Sequence, residues 1–479
     1  SSLTYEPITD DVKPRVVISR GRTGRSAATR STTVDLRLRN PDGVYSPRNI
    51  GGPRYGTLRQ QTPLRVRLDP GTGMVTRGTA YVPDWPPEWT GPDVDDRIAL
   101  DAGGIMQRLS IGQESKSALR RAILATNPVD YWPMEDASGA VQAASALGRS
   151  PIRVVDGSIN FSSVTDLVGA TVAPDTSASY LIAQVAGVSE SFWHAEFAVK
   201  PGTDTLVAVA RIYTNAAVTN IWRFFIPNSV GSNFQIFIDD DGSLGPLIAH
   251  TFVTPAGWVD AWHHIGVSAE QSGANLTTRL HVDGVLRSTD TTAVAGGSPT
   301  SMFFNHNLLS GSSCASYSHV VFGDGAVTGI FYDAMLGYGG ELAGTRFARL
   351  CAEEGLLSDV AAGDTESMGP QLPGEILALL RECEDSDEAV MVERRTGESG
   401  FDPCASRYNL AVTMTVDYEA VADLAVDDSV RDVINRARVT RVGGSSGTYE
   451  RTGGPRGTDP ATGIGVYPAA PSRSLETDG

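Results

Sequence analysis

The run Trp262-His263-His264, followed by Val282-Asp283-Gly284, is where chemistry would first be sought, because adjacent imidazoles can hold a metal or move a proton. The stretch "HHIGVSAE" reads as a strand, however, and neighbours on a strand point to opposite faces. One histidine must then face the interior and the other the outside, so the two cannot easily share one metal. A hydrogen-bonded core or edge role is the expectation for both. All seven histidines, His194, His250, His263, His264, His281, His306 and His319, lie between positions 194 and 319, and any histidine chemistry must be there.

Other motifs carry less. Asp239, Asp240 and Asp241 could offer carboxylates to calcium. They lack the alternating spacing of an EF-hand loop, and the Asp-Gly pair that ends them is a preferred hairpin turn. Gly443 to Gly447 matches G-x-S-x-G, but "TYERTGGPRG" after it is not helical and no histidine follows, so a nucleophile elbow is rejected. No phosphate loop, no GxGxxG after a strand, no H-E-x-x-H and no tight acidic motif is present, and the expectation is a protein that is not an enzyme. The four cysteines, Cys314, Cys351, Cys383 and Cys404, form no CxxC. Free buried thiols are the default, and one long-range disulfide stays open.

The elements that must position these residues are mostly short strands. The chain has 479 residues with 51 glycines, and Val/Thr/Ile-rich runs recur between Gly, Asp, Asn and Pro. Residues 1–113 read as a barrel-like β module. Residues 114–127 read as a connecting helix stopped at Asn127-Pro128. Residues 128–356 read as a β-sandwich ending in a strand and a helix. Residues 357–479 read as an α+β module with a Gly/Pro/Thr/Ser-rich end. The fold class is therefore mainly β. No run of about 20 apolar residues suggests a membrane segment.

Charge is unevenly spread. The net charge is −17, yet the residues up to Arg67 carry +8 and the remainder −25. Arg37 and Arg39 in "TTVDLRLRN" and Arg65 and Arg67 in "TPLRVRL" alternate with apolar residues, which places them on the outer face of strands. A solvated or subunit-facing sheet face is preferred over nucleic-acid binding, for which no partner is expected. Arginine supplies 36 of the 39 basic residues, and its weakly hydrated planar fork suits partly buried interfaces.

The motifs "DYWPMED", "WHHIGVSAE…LTTRLHVDGVLR" and "GIFYDAMLGYGGELAGTRFARL" make residues 128–350 resemble the laminin-G-like, concanavalin A-like jelly roll. That resemblance implies a sandwich strand at Trp262–His264, with Trp262 packing the core, and a hairpin turn at Val282-Asp283-Gly284. The flanks are similar to minor tail proteins of long-tailed actinobacterial phages. The carriers there are "ISRGRTGRSAATRSTTVDLRLRNPDGVYSPRN" with Asn40, Asp42, Gly43, Tyr45, Ser46 and Pro47 in its turn, "YVPDWPPEWTGPDVDDRIALDAGGIMQRL", "GEILALLRECEDSDEAVMVERRTG" and "DSVRDVINRARVTR".

The resemblance implies a structural hub of a phage tail tip, located in the virion. Its first and third modules would join a homo-oligomeric ring, expected to be a trimer, with other tail-tip proteins and the tail tube as partners. The jelly roll would project outward and could touch host cell-wall glycan or protein. Arg37, Arg39, Arg65 and Arg67 are the candidate assembly residues. A glycan site usually needs an aromatic platform, and Trp193, Trp222, Trp258 and Tyr317 are the candidates, with no choice among them. No cofactor is expected unless calcium binds at Asp239 to Asp241. A secreted glycan-binding adhesin and a wall-degrading enzyme are the competing readings.

Overall fold

Alternation along the first strands builds an open antiparallel sheet. The computed structural model describes residues 4–22, 29–88, 97–112, 114–202, 208–215, 220–240, 248–305, 315–327, 329–407, 415, 434–440 and 446–466. Strands β1 (Val12–Gly21), β2 (Arg30–Arg39), β3 (Thr62–Leu68), β4 (Val75–Val82), β5 (Pro87–Glu88) and β6 (Arg97–Gly103) order as β1-β2-β6-β4-β3, with β5 on β6. In β2, Val34, Leu36 and Leu38 are buried while Asp35, Arg37 and Arg39 are exposed. β1 and β3 remain edges, so the sheet is a half-barrel. The turn after β2 is pinned by buried Asn40, whose Oδ1 accepts the Tyr45 N–H at 2.8 Å. Asp42 and Gly43 take positive φ there, 55° and 68°. Tyr45 stacks on Trp85. A short helix, α1 (Ile105–Leu109), follows.

The next helix, α2 (Ala118–Ala125), starts at Ser117, whose hydroxyl accepts the Arg120 N–H. It ends before Asn127, which takes φ 54° ahead of Pro128. Its apolar Leu119, Ala122 and Ile123 are buried against the sandwich, so α2 is part of that unit rather than a connector.

Sixteen strands follow: β7 (Asp130–Trp132), β8 (Gln142–Ala143), β9 (Ile152–Gly157), β10 (Asn160–Val164), β11 (Ala173–Asp175), β12 (Ser179–Gln184), β13 (Phe192–Pro201), β14 (Ala208–Thr214), β15 (Asn220–Ile226), β16 (Asn233–Asp240), β17 (Ile248–Val253), β18 (His263–Ser272), β19 (Asn275–Val282), β20 (Val285–Thr292), β21 (Pro299–Phe304) and β22 (Ala315–Asp324). They form an eight-stranded sheet, β17-β16-β15-β14-β21-β12-β9-β8, and a six-stranded sheet, β20-β19-β18-β13-β22-β7, with β10 and β11 as a separate pair. Their inner faces interdigitate in a core that includes Trp132, Phe197, Trp222, Phe224, Ile236, Leu280 and Phe304. This is a two-sheet antiparallel β-sandwich. The turn Asp283-Gly284 joins β19 to β20 with both φ positive, 50° and 71°, the geometry that matches strand twist in a two-residue hairpin. The outer face of the six-stranded sheet is covered by α2 and by α3 (Ile330–Met335) in a second apolar cluster.

The remaining elements are α4 (Ala343–Glu353), β23 (Ser358–Val360), α5 (Ile376–Ser386), β24 (Val390–Glu393), β25 (Ser399–Asp402), β26 (Arg436–Thr440) and β27 (Ser446–Glu450). The helix α4, expected to close the jelly roll, packs elsewhere. Its Ala343, Phe347, Leu350 and Cys351 join α1, α5, Met391 and Phe401 in one core. Apolar stripes on α4 and α5 face each other there, which withdraws α4 from the sandwich. The chain thus divides into a discontinuous unit of residues 1–114, 340–369 and 375–479, and a sandwich unit of residues 115–339 and 370–374.

Within the discontinuous unit, the early and late segments are tied by polar contacts. Glu393 accepts the N–H groups of Thr32 and Met106, each at 2.6 Å, so one carboxylate serves β2 and the start of α1. Arg22 pairs with Glu384, and Thr79 donates to the Arg395 carbonyl. Cys351 and Cys383 are buried free thiols, and Cys314 lies outside the described residues. No helix among the described residues is long and apolar enough to cross a membrane.

Candidate functional site

Strand alternation separates the two adjacent histidines. His263 pairs with Val199 and His264 with Ala198, and these partners lie on opposite faces of β13. His263 stacks on Trp258 at 4.2 Å, with Nδ1 2.9 Å from Asp283 and Nε2 3.1 Å from the Trp258 carbonyl. His264 lies on the helix-covered face, stacked on Phe331, with Nε2 2.9 Å from Glu196. Its Nδ1 accepts the Gly284 N–H, which leaves the Nε2 proton for Glu196. His194 stands 3.6 Å from the other Glu196 oxygen. Glycines make room: a Cβ at Gly323 would lie 2.5 Å from the His194 ring, and one at Gly266 would lie 3.2 Å from that of His264.

His264, beneath Phe331, and Glu196 are buried, at 0% and 2% exposure, while His194 is half-buried. Among the described residues, no group of three or more His, Cys, Asp or Glu could hold a metal ion. Two further histidines, His250 and His319, also have structural partners. His250 reaches across between the sheets, to Ser288 on β20 and Thr278 on β19. His319 is 0% exposed and 2.7 Å from the Tyr131 hydroxyl. His306 lies outside the described residues. Trp262 is half-buried and packs in the helix-covered cluster rather than between the sheets. Its indole donates to Asp166.

The proposed aromatic platform is not where the sequence placed it. Trp193, Trp222, Trp258 and Tyr317 are all 0% exposed, in the core between the sheets. Trp193, Trp222 and Tyr317 are inward positions of their strands, Trp258 enters the core from the segment between β17 and β18, and large rings are what fill a sandwich core. Trp193 and Trp258 donate their indole N–H groups to the carbonyls of Gly297 and Pro227. Of the calcium candidates, Asp239 and Asp240 lie at the end of β16, facing Ile221 and Asn220 in register, and Asp241 lies outside the described residues. Arg37, Arg39, Arg65 and Arg67 are exposed, as alternation requires. Arg65 lies 4.0 Å over the Tyr5 ring, and Arg67 donates to the Met74 carbonyl.

The outward face of the eight-stranded sheet carries the residues that the sequence reading passed over. Because Trp222 and Phe224 point inward, Arg223 and Phe225 point outward, and register carries the pattern sideways. Arg153 on β9 pairs with Ile182 on β12, which pairs with Phe303 on β21. Phe303 pairs with Arg211 on β14, Arg211 with Arg223 on β15, and Arg223 with Phe237 on β16. Around this row, Tyr213 meets Phe303 edge to face at 5.1 Å, Tyr180 stacks on Phe303 at 6.0 Å, and Phe225 meets Phe237 at 5.4 Å.

Tyr180, Tyr213, Phe225, Phe237, Phe303, Arg211 and Arg223 are half-buried, and Arg153 is exposed. Val209 and Ile221, at the margins of the same face, are buried. Burial and the neighbouring Tyr213 raise the pKa of the Tyr180 hydroxyl, while Arg211 opposes them, so the three polar ends act on one another. Five aromatic rings thus share a sheet face with three guanidinium groups.

In the discontinuous unit, a shallow depression is lined by Asp359, Arg394, Thr396 and Glu398. Arg394 is already committed there to Asp359 at 2.7 Å and Asp402 at 2.6 Å.

No protein-family model and no curated protein matches the chain. Among solved structures, domain 4 of a GH43 extracellular arabinanase from Geobacillus stearothermophilus, in complex with arabinotriose, is 12% identical. It covers 46% of this chain and 99% of its own, with a TM-score of 0.32. The receptor-binding domain of botulinum neurotoxin type G is 11% identical over 43% of this chain and 50% of its own, with a TM-score of 0.32. A galectin from Caenorhabditis elegans is 11% identical over 29% of this chain and 88% of its own, with a TM-score of 0.21.

Proposed function

We propose that this chain is a structural protein of a phage tail tip whose sandwich holds a host cell-wall glycan on the outward face of its eight-stranded sheet. The observation that carries the glycan reading is the cluster of half-buried Tyr213, Phe303, Tyr180, Phe225 and Phe237 on one solvent-side sheet face. A sandwich needs apolar residues only on its inner face, so rings on the other face offer platforms for the C–H faces of sugars. The arginines between them donate hydrogen bonds to sugar oxygens.

The tail-tip reading rests on the resemblance of residues flanking the sandwich. It is supported by the union of those flanks into one discontinuous unit. Under this reading the flanks join a homo-oligomeric ring with other tail-tip proteins and the tail tube, and the chain performs no catalysis.

Sedimentation of the full chain with purified actinobacterial cell walls tests the glycan site. Tyr213→Ala and Phe303→Ala should each weaken binding by about tenfold, the loss expected of one stacking ring. Wall binding unchanged in both variants would remove the site. Immunogold labelling of particles tests the location: gold at one end of tails is expected, whereas gold only on cell surfaces would favour a secreted adhesin. Release of soluble sugar from walls would favour a degrading enzyme.

A further inference from the structure

We infer that the glycan on this face is recognised along its length, as a chain of several sugar rings that crosses the strands and rests on two separate aromatic platforms. A single terminal sugar would use only one of them. The inference rests on the glycan reading above and adds the length and the direction of the ligand.

The rings fall into two groups. Phe303 on β21 gathers Tyr213 and Tyr180, at 5.1 and 6.0 Å between ring centres. Phe225 on β15 and Phe237 on β16 form the second group, at 5.4 Å. Phe303 and Phe237 stand in one lateral row, since Phe303 pairs with Arg211, Arg211 with Arg223 and Arg223 with Phe237. Three strand intervals therefore separate them, about 14 Å at the usual spacing. One sugar ring covers one aromatic ring, so a monosaccharide reaches one platform only. An oligosaccharide laid across β14 and β15 reaches both.

Register gives the direction. Ile182, two residues from Tyr180, pairs with Phe303, while Tyr213 pairs with Ser301. Tyr180 and Tyr213 thus flank Phe303 on opposite sides of the row, and the first platform is centred on the row itself. Phe237 is the member of the second group that lies in it. The line joining the platforms therefore runs perpendicular to the strands. The row also spans the whole sheet, from Gln142 on β8 to Ala249 on β17, which are its two edge strands. Gln142 is exposed, so a longer chain can continue past that edge.

Wall glycan fragments released by partial acid hydrolysis and sorted by length are the probes. They compete with whole actinobacterial walls for the full chain in the sedimentation assay. Competition should strengthen about tenfold or more between disaccharides and fragments long enough to span both platforms, because the second contact is then made within one bound molecule. Beyond that length it should level off. Phe237→Ala should remove most of this gain, while disaccharides held at the Phe303 platform compete as before. Phe237→Tyr keeps the ring and should behave as the wild type. If disaccharides compete as well as long fragments, or if Phe237→Ala leaves the length dependence intact, the ligand occupies one platform. The inference then falls, and loss of wall binding in Phe303→Ala keeps the glycan reading. If Tyr213→Ala, Phe303→Ala and Phe237→Ala all bind walls as the wild type does, both fall. A lower oligomeric mass of those variants in sedimentation velocity would then assign the face to contact between copies of the chain.

Discussion

A methyl group at Gly323 would meet the His194 ring at 2.5 Å, and that ring leans on the Glu196 carboxylate beneath helix α3. Gly323→Ala should therefore cost about 1–3 kcal/mol by overpacking. Adding His194→Ala should return most of the loss in urea unfolding, because the two side chains compete for one space. A destabilisation that persists in the double variant would place the strain elsewhere. His319, beside Tyr131 and Glu135, tests burial by titration. Complete burial lowers its pKa from 6.5 to about 4; Glu135 opposes the shift and Arg120 adds to it. A lowered histidine favours the neutral form in the folded state. Its stabilisation is then present above pH 6.5 and is lost as pH falls toward 4. Burial also lowers the pKa of His250 and His281, and they act in the same direction. The urea midpoint of the wild type should drop across that window, and His319→Gln should flatten part of the drop. Equal pH profiles would mean that His319 is not held neutral.

At the scale of elements, the β19–β20 hairpin joins turn chemistry to the histidine strand. Asp283 takes φ 50°, accepts the His264 N–H at 3.0 Å with one oxygen and stands 2.9 Å from His263 Nδ1 with the other. Asn tolerates the left-handed turn and keeps one acceptor, whereas Ala supplies neither. Asp283→Ala should lower stability by about 1–3 kcal/mol and Asp283→Asn by clearly less, read from chemical unfolding. Equal losses would show that the second carboxylate contact, not the turn, carries the effect. The same strands show how far the sequence could be read. Alternation in "HHIGVSAE" was enough to separate His263 from His264, since period 2 is a local property. In "IWRFFI" it was enough to put Trp222 and Phe225 on opposite faces, but not to say which face was the core. Trp222, one of four candidates for a glycan platform, fills the space between the sheets instead. The Arg153 to Phe237 row was not legible at all, because it is assembled by register between strands far apart in the chain.

At the scale of the whole molecule, the union of early and late segments in one unit could not be read from periodicity. It depends on Glu393 finding Thr32 and Met106, hundreds of residues apart, and only the order of the flanking motifs hinted at it. That unit presents Arg37 and Arg39 on β2 and Arg65 and Arg67 on β3, all exposed. Under the tail-tip reading these strands face acidic neighbours in a ring, and closed rings require complementary surfaces. The four arginines are not equivalent. Arg65 is held over Tyr5, so its removal also loosens the start of the chain, while Arg37 and Arg39 project from a strand whose opposite face is core. Arg37→Gln with Arg39→Gln should therefore leave the thermal midpoint of the isolated chain nearly unchanged, since surface changes of this kind stay within about 0.5 kcal/mol. The same pair should reduce incorporation into tails, scored by particle immunoblot, and the defect should grow with salt because screening weakens the remaining pairs. Normal incorporation at physiological salt would remove β2 from the assembly surface.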